Sequence, residues 1–126
     1  MGITFVNVKV SNAAKPKKTA THEFLVDSGA IYTVLPRSVL KGLGIKPTRK
    51  EDFLLANGET VRKSVGHALF EFEGKVGAAS VVFGEEGIFL LGSTALEEMG
   101  FMLDPFSREL KALPKLLMTH KKVHAR

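Results

Sequence analysis

The sequence predicts an all-β domain with one or two short helices. Three observations carry this reading. Short runs rich in Val, Phe, Ile and Leu recur along the chain, some alternating apolar and polar residues with period two. Gly, Pro and Asn punctuate those runs at turn-like intervals. Only two stretches carry a helical face, and both are brief. Many short strands with turn signals between them indicate a barrel or sandwich. The 126 residues suit one domain with one modest core. That domain is expected over residues 1–113, followed by a basic tail over 114–126.

Ile3 to Val10 reads as the first strand. Val6, Val8 and Val10 point one way, and Asn7 and Lys9 the other. Ser11 to Thr21 is small, polar and basic, with Pro16, and reads as a loop between hairpin strands. Thr21 to Val26 is the second strand and delivers Asp27 at its end. Pro36, after Thr33 to Leu35, suits a helix N-terminus. Val39, Leu40 and Leu43 share a face there, and Gly44 can end the turn. Lys46 to Asp52 reads as a charged connector.

Phe53 to Val65 looks like a hairpin turning at Asn57-Gly58, a strong short-range turn signal between apolar runs. His67 to Glu73 and Val76 to Phe83 are further strands, with turns at Gly74 and over Gly84 to Gly87. Ile88 to Leu91 forms a second core strand ending at Gly92. Ser93 or Thr94 is expected to cap a helix with Glu97 and Glu98 in its first turns. Leu96 and Met99 form its buried face, and Gly100 ends it. Phe101 to Leu103 and Leu110 to Leu113 are short last strands, with Asp104-Pro105 turning between them. Lys115 to Arg126 is expected to be a partly ordered tail. A faint internal echo links Phe24-Leu25-Val26-Asp27-Ser28 to Phe89-Leu90-Leu91-Gly92-Ser93, each a core run ending in small residues.

The stretch with most chemistry is Phe24-Leu25-Val26-Asp27-Ser28-Gly29-Ala30. A buried apolar run drives into a carboxylate, and an ionised carboxylate withdrawn from water needs compensating partners. Gly29 allows a tight turn, and Ser28 adds a compact donor and acceptor. Taken alone, Asp-Ser-Gly is also ordinary turn chemistry. The wider pattern continues with Thr33 and Val34-Leu35-Pro36. It resembles the active-site segment of retropepsin-type aspartic peptidases, the retroviral proteases and their cellular and prokaryotic relatives. Two more features stand in the order of that family. Leu55-Ala56-Asn57-Gly58-Glu59-Thr60-Val61 looks like its flap hairpin, and Leu90-Leu91-Gly92 before a short helix is similar to its hydrophobic-hydrophobic-Gly element. This chain has Ser28 where retroviral enzymes mostly have Thr, and Asn57-Gly58 rather than a glycine-rich flap tip.

The resemblance implies a retropepsin-like closed acid-protease barrel and an aspartic endopeptidase with Asp27 as catalytic carboxylate. One motif in a single-lobe chain implies a homodimer, each copy supplying one Asp27. Ser28 would then fix the dimer beneath the carboxylate pair, and Gly29 would leave room for substrate backbone. Ala30, Ile31 and Val61 are expected pocket walls, and Ala56, Asn57 and Gly58 the flap over an extended peptide or protein substrate. The implied chemistry needs no metal and no organic cofactor. The alternative is a non-catalytic peptide-binding or dimerisation module on the same fold.

Other readings are weaker. The net charge of +5 gathers at Lys15, Lys17 and Lys18 and near the C-terminal end. With one Tyr, no Trp and no RNA-binding signature, it reads as solvated loop and tail charge, so no nucleic-acid partner is expected. His22 and His67 lack metal-ligand spacing and read as strand residues. Without cysteine no disulfide framework can form, which suits a reducing cytosol. No secretory leader is visible, nor an apolar run near the roughly 20 residues that cross a bilayer. The expected location is cytoplasmic.

Overall fold

The computed structural model describes residues 3–114, and the tail expected over 115–126 lies outside them. β1 (Phe5–Ser11) and β2 (Thr19–Val26) form the first hairpin. Val8 and Val10 are fully buried, as the alternation predicts. The loop between these strands is organised by Asn12, a residue with no motif around it to mark it in the sequence. Its Oδ1 accepts from Ala14 N (2.8 Å) and its Nδ2 donates to Leu43 O (2.9 Å). That side chain is buried and fully engaged, as a buried amide must be.

β3 (Thr33–Pro36) leads into α1 (Arg37–Gly42), with Pro36 at the N-cap. The charged connector is in fact a strand. β4 (Arg49–Leu54) pairs antiparallel with the start of β5 (Thr60–Phe72). An outer strand can keep charged residues in water along its length, so its hydropathy hides it. β5 is one continuous strand where two were expected. Its first part pairs with β4, and Val65 to Phe72 pairs with β6 (Lys75–Gly84).

β7 (Leu90–Leu91) is only two residues long, shorter than the expected Ile88–Leu91 run. α2 (Ser93–Met99), β8 (Phe101–Asp104) and β9 (Glu109–Ala112) complete the described chain. Glu97 and Glu98 fall in the second half of α2, and no acidic residue occupies its first turn. Its N-cap is Gly92, with no side-chain cap from Ser93 or Thr94.

The main sheet runs β1-β2-β7-β3-β6-β5-β4, and β1 also pairs with β5. Six strands therefore close into a ring, while β4 extends outward on β5. The fold is all-β, with the expected closed barrel, projecting hairpin and two short helices. The sequence echo becomes a parallel ladder, Leu25 opposite Leu90 and Val26 opposite Leu91. Phe24, Leu35, Phe70, Phe83 and Leu91 fill the ring interior, with Leu96, Met99 and Phe101 packed on it from α2 and β8. No helix among the described residues is long and apolar enough to cross a membrane.

Candidate active site

Asp27 lies one residue past β2, yet its backbone still belongs to the ladder: Asp27 N donates to Leu91 O at 3.0 Å. Parallel pairing with a buried strand fixes where the residue starts. The turn after it fixes where the carboxylate points. Gly29 N donates to Asp27 Oδ1 (3.0 Å), and Ala30 N donates to Asp27 O (3.1 Å). This is an Asx-type turn, in which the side chain substitutes for a backbone acceptor. Asp27, Ser28 and Gly29 all remain exposed.

The rest of the loop is bolted to Gly92 and α2. Ser93 N donates to Ala30 O (2.7 Å) and Thr94 N to Ile31 O (3.1 Å). The first N–H groups of a helix have no partners within it. Here loop carbonyls satisfy them, which is why no serine or threonine cap is present. The buried Thr33 hydroxyl accepts from Gly92 N at 3.0 Å. Gly92 itself packs against the loop backbone, and a Cβ there would sit 2.5 Å from Tyr32 O and 2.8 Å from Ile31 O. Only glycine allows that approach.

Beside this loop lies an apolar cavity of about 290 Å³. Ala30, Tyr32 and Val34 form the loop side, and Phe53, Leu55 and Val61 the hairpin side. Lys63 and Glu85, 3.4 Å apart, stand at its edge. Of the expected pocket walls, Ala30 and Val61 line this cavity. Ile31 does not, and is 65% exposed. Ala56, Asn57 and Gly58 form the exposed hairpin tip. Gly58 has φ of +90° and donates from its N–H to Leu55 O (2.9 Å), while Leu55 N donates to Glu59 O (2.7 Å). Asn57 and Gly58 thus belong to a three-residue tip rather than a two-residue turn.

Tyr32, Phe53 and Leu55 are cavity walls that the sequence does not reveal. Their hydrophobicity is visible, but nothing in spacing joins residue 32 to residue 53. A second, smaller cavity of about 200 Å³ opens beside Ser28 and is lined by Leu96, Phe101, Met102 and Leu103. His22 stacks on Phe89 with ring centroids 4.6 Å apart, and His67 lies on β5. Among the described residues, no group of three or more His, Asp or Glu side chains could hold a metal ion.

Residues 6–95 match the family model described as aspartyl protease. The chain belongs to the aspartyl protease family. Its fold is similar to the solution structure of the simian foamy virus (mac) protease, with a TM-score of 0.50 and 17% identity. That similarity covers 73% of this chain and 92% of the viral one. No curated protein sequence matches it. As a member of this family, the chain carries its one Asp-Ser-Gly segment at the barrel mouth, where the β2–β7 ladder runs out.

Proposed function

We propose that two copies of this chain form an aspartic endopeptidase, with Asp27 of each as the catalytic pair. The observation that carries this reading is the placement of Asp27. An exposed carboxylate stands on a loop anchored to the core, next to an apolar cavity roofed by a hairpin. One chain offers one such carboxylate, and the chemistry needs two. Across a two-fold axis, two close carboxylates cannot both ionise readily, so they share one proton. Their titration belongs to the pair.

The ionised member takes a proton from a bound water as that water attacks the scissile carbonyl. The protonated member gives its proton to the carbonyl oxygen, forming a gem-diol. The member that took the water proton then passes it to the amine nitrogen as the C–N bond breaks, while its partner takes a proton back from a gem-diol hydroxyl, so the pair again holds one proton. Gly29, without a side chain, leaves room for substrate backbone. The peptide lies extended between loop and hairpin, held by main-chain hydrogen bonds with alternate side chains in pockets. Ser28 is exposed and opens onto the small cavity lined by α2 and β8. A second copy docked on that side would bring the two Ser28 hydroxyls and the two Asp27 carboxylates together.

The test is cleavage of a diverse peptide library from mildly acidic to neutral pH, with Asp27→Asn in parallel. Wild type should cut, and the variant should fall by about a thousandfold or more while keeping its fold. Equal cutting by both would remove Asp27 from the mechanism. Binding of peptides without cleavage by wild type would favour the non-catalytic module.

A further inference from the structure

We propose that Tyr32 is a positioning residue that latches the β4–β5 hairpin to the active-site loop and so sets the height of the flap over a bound peptide. This rests on the reading that peptide lies between Asp27 and that hairpin.

The root of Tyr32 is immobile. Its carbonyl packs against Gly92, and its neighbours on both sides carry tertiary hydrogen bonds, Ile31 O from Thr94 N and Thr33 Oγ1 from Gly92 N. From this post the half-buried ring reaches across to β4. It meets Phe53 edge-on, with centroids 5.2 Å apart and planes at 83°, a favourable aromatic geometry. Of the ring contacts among the described residues, this one joins loop to hairpin.

The contact matters because of what holds β4. That strand lies outside the closed ring and is paired in the sheet with β5 on one edge. Phe53 sits opposite Val61 in this ladder, and both line the cavity with Tyr32. Arg49, Glu51 and Phe53 share one face of β4 by the period of two. Arg49 pairs with Glu51, which raises its pKa, and the Tyr32 hydroxyl beside it adds to the rise. Tyr32 therefore meets β4 through Phe53, on the strand face that also carries Arg49 and Glu51. The hairpin has a sheet edge on one side and this side chain on the other.

The test is amide hydrogen exchange on the full chain, comparing wild type with Tyr32→Phe, Tyr32→Leu and Phe53→Leu. Either leucine variant should speed exchange at Leu55 and Gly58 by about tenfold and leave β6 amides unchanged. Tyr32→Phe keeps the ring and loses only the hydroxyl, so its effect should stay within about threefold. In peptide hydrolysis the leucine variants should raise KM by about five- to tenfold, with kcat within about twofold. The exchange readout needs no catalysis, so it decides the latch even if no peptide is cut. The chain has one Tyr and no Trp, so intrinsic emission reports this ring alone. Greater quencher access to it in Phe53→Leu would agree with release. Unchanged flap exchange in both leucine variants would overturn the latch. So would equal acceleration in β6, which would mean general loosening. A raised KM with unchanged exchange would also overturn it, making Tyr32 a pocket wall only. Should Tyr32→Leu fail to fold, Phe53→Leu removes the same contact from the other side.

Discussion

The loop over residues 27–33 and the hairpin tip over 55–59 face the same cavity, yet they are tethered in opposite ways. The loop bonds to residues some sixty positions away: Asp27 to Leu91, Ala30 to Ser93, Ile31 to Thr94 and Thr33 to Gly92. Among the described residues, the tip's hydrogen bonds run within the tip itself. Leu55 pairs with Glu59, Gly58 with Leu55, and Glu59 N donates to Asn57 Oδ1 at 2.9 Å. Moving the loop means breaking the core. Moving the hairpin breaks none of the loop's bonds to the core. The peptidase proposed above must fix a carboxylate and still admit a peptide, and this division between a core-bonded loop and a self-bonded tip suits that task.

The sharpest way to break that contrast is Gly92→Ala. The new Cβ would lie 2.5–2.8 Å from backbone atoms of Tyr32 and Ile31. Backbone on both sides cannot yield cheaply, so the loss should be about 3 kcal/mol or more, or failure to fold. Denaturant unfolding measures it, and wild-type stability would mean the loop is not pinned there. Thr33→Val is the milder cut. It keeps the shape but strips Gly92 N of its buried acceptor, at about 2 kcal/mol. Activity should fall with stability in both variants, because the carboxylate and the core share one scaffold.

The two regions also differ in how far they can be read from sequence. Asp27-Ser28-Gly29-Ala30, Asn57-Gly58 and Leu90-Leu91-Gly92 are local strings with physical reasons to be what they are, and they place loop, tip and anchor. The connections between them are not visible. The cap of α2 comes from Ala30 and Ile31 carbonyls, so Ser93 and Thr94, good caps by type, hold no cap. β4 hides behind Arg49-Lys50-Glu51-Asp52, because a strand outside the ring alternates in burial without alternating in hydropathy. β5 looks like two strands, since Ser64, Gly66 and His67 interrupt its apolar run. Gly66 is tolerated there because Lys46 O passes 3.0 Å from where a Cβ would stand. The Tyr32–Phe53 contact has no sequence signature at all.

Gly58→Ala probes the tip instead. Gly58 holds φ of +90° with open space around a would-be Cβ. The cost is conformational only, about 1 kcal/mol. Because the tip's hydrogen bonds run within the tip itself, that cost should appear as a changed tip conformation and a raised KM, with the melting temperature nearly unmoved. A melting shift as large as that of Gly92→Ala would show that the tip is coupled to the barrel after all.

The same distinction between distant and local tethers recurs at two carboxylates, where pH can separate them. Glu86 reaches across 48 positions to cap α1, accepting from Ser38 Oγ (2.5 Å) and Ser38 N (3.2 Å). Asp104 caps its own turn, accepting from Phe106 N (2.9 Å) and Ser107 N. Hydrogen bonds from Ser38, helped by nearby Arg37, hold Glu86 below its ordinary carboxylate range. The Phe106 amide, then Ser107 and Lys111, do the same for Asp104. A lowered pKa favours folding while the carboxylate is ionised, so the benefit is present above the ordinary value and lost as pH falls through the lowered one. Glu86→Gln should therefore cost a small amount of stability near neutral pH, and the gap from wild type should close in acid. Asp104→Asn should loosen only residues 104–107, without reaching the barrel. Glu86 is exposed and Asp104 only half-buried, with its hydrogen bonds at the surface, so these effects will be smaller than those of the glycine and threonine variants and will shrink with added salt. Unfolding curves for wild type and Glu86→Gln from neutral to acidic pH make the comparison. A gap that widens on acidification would reverse the sign of the linkage and show that Glu86 does not tether α1 as a carboxylate.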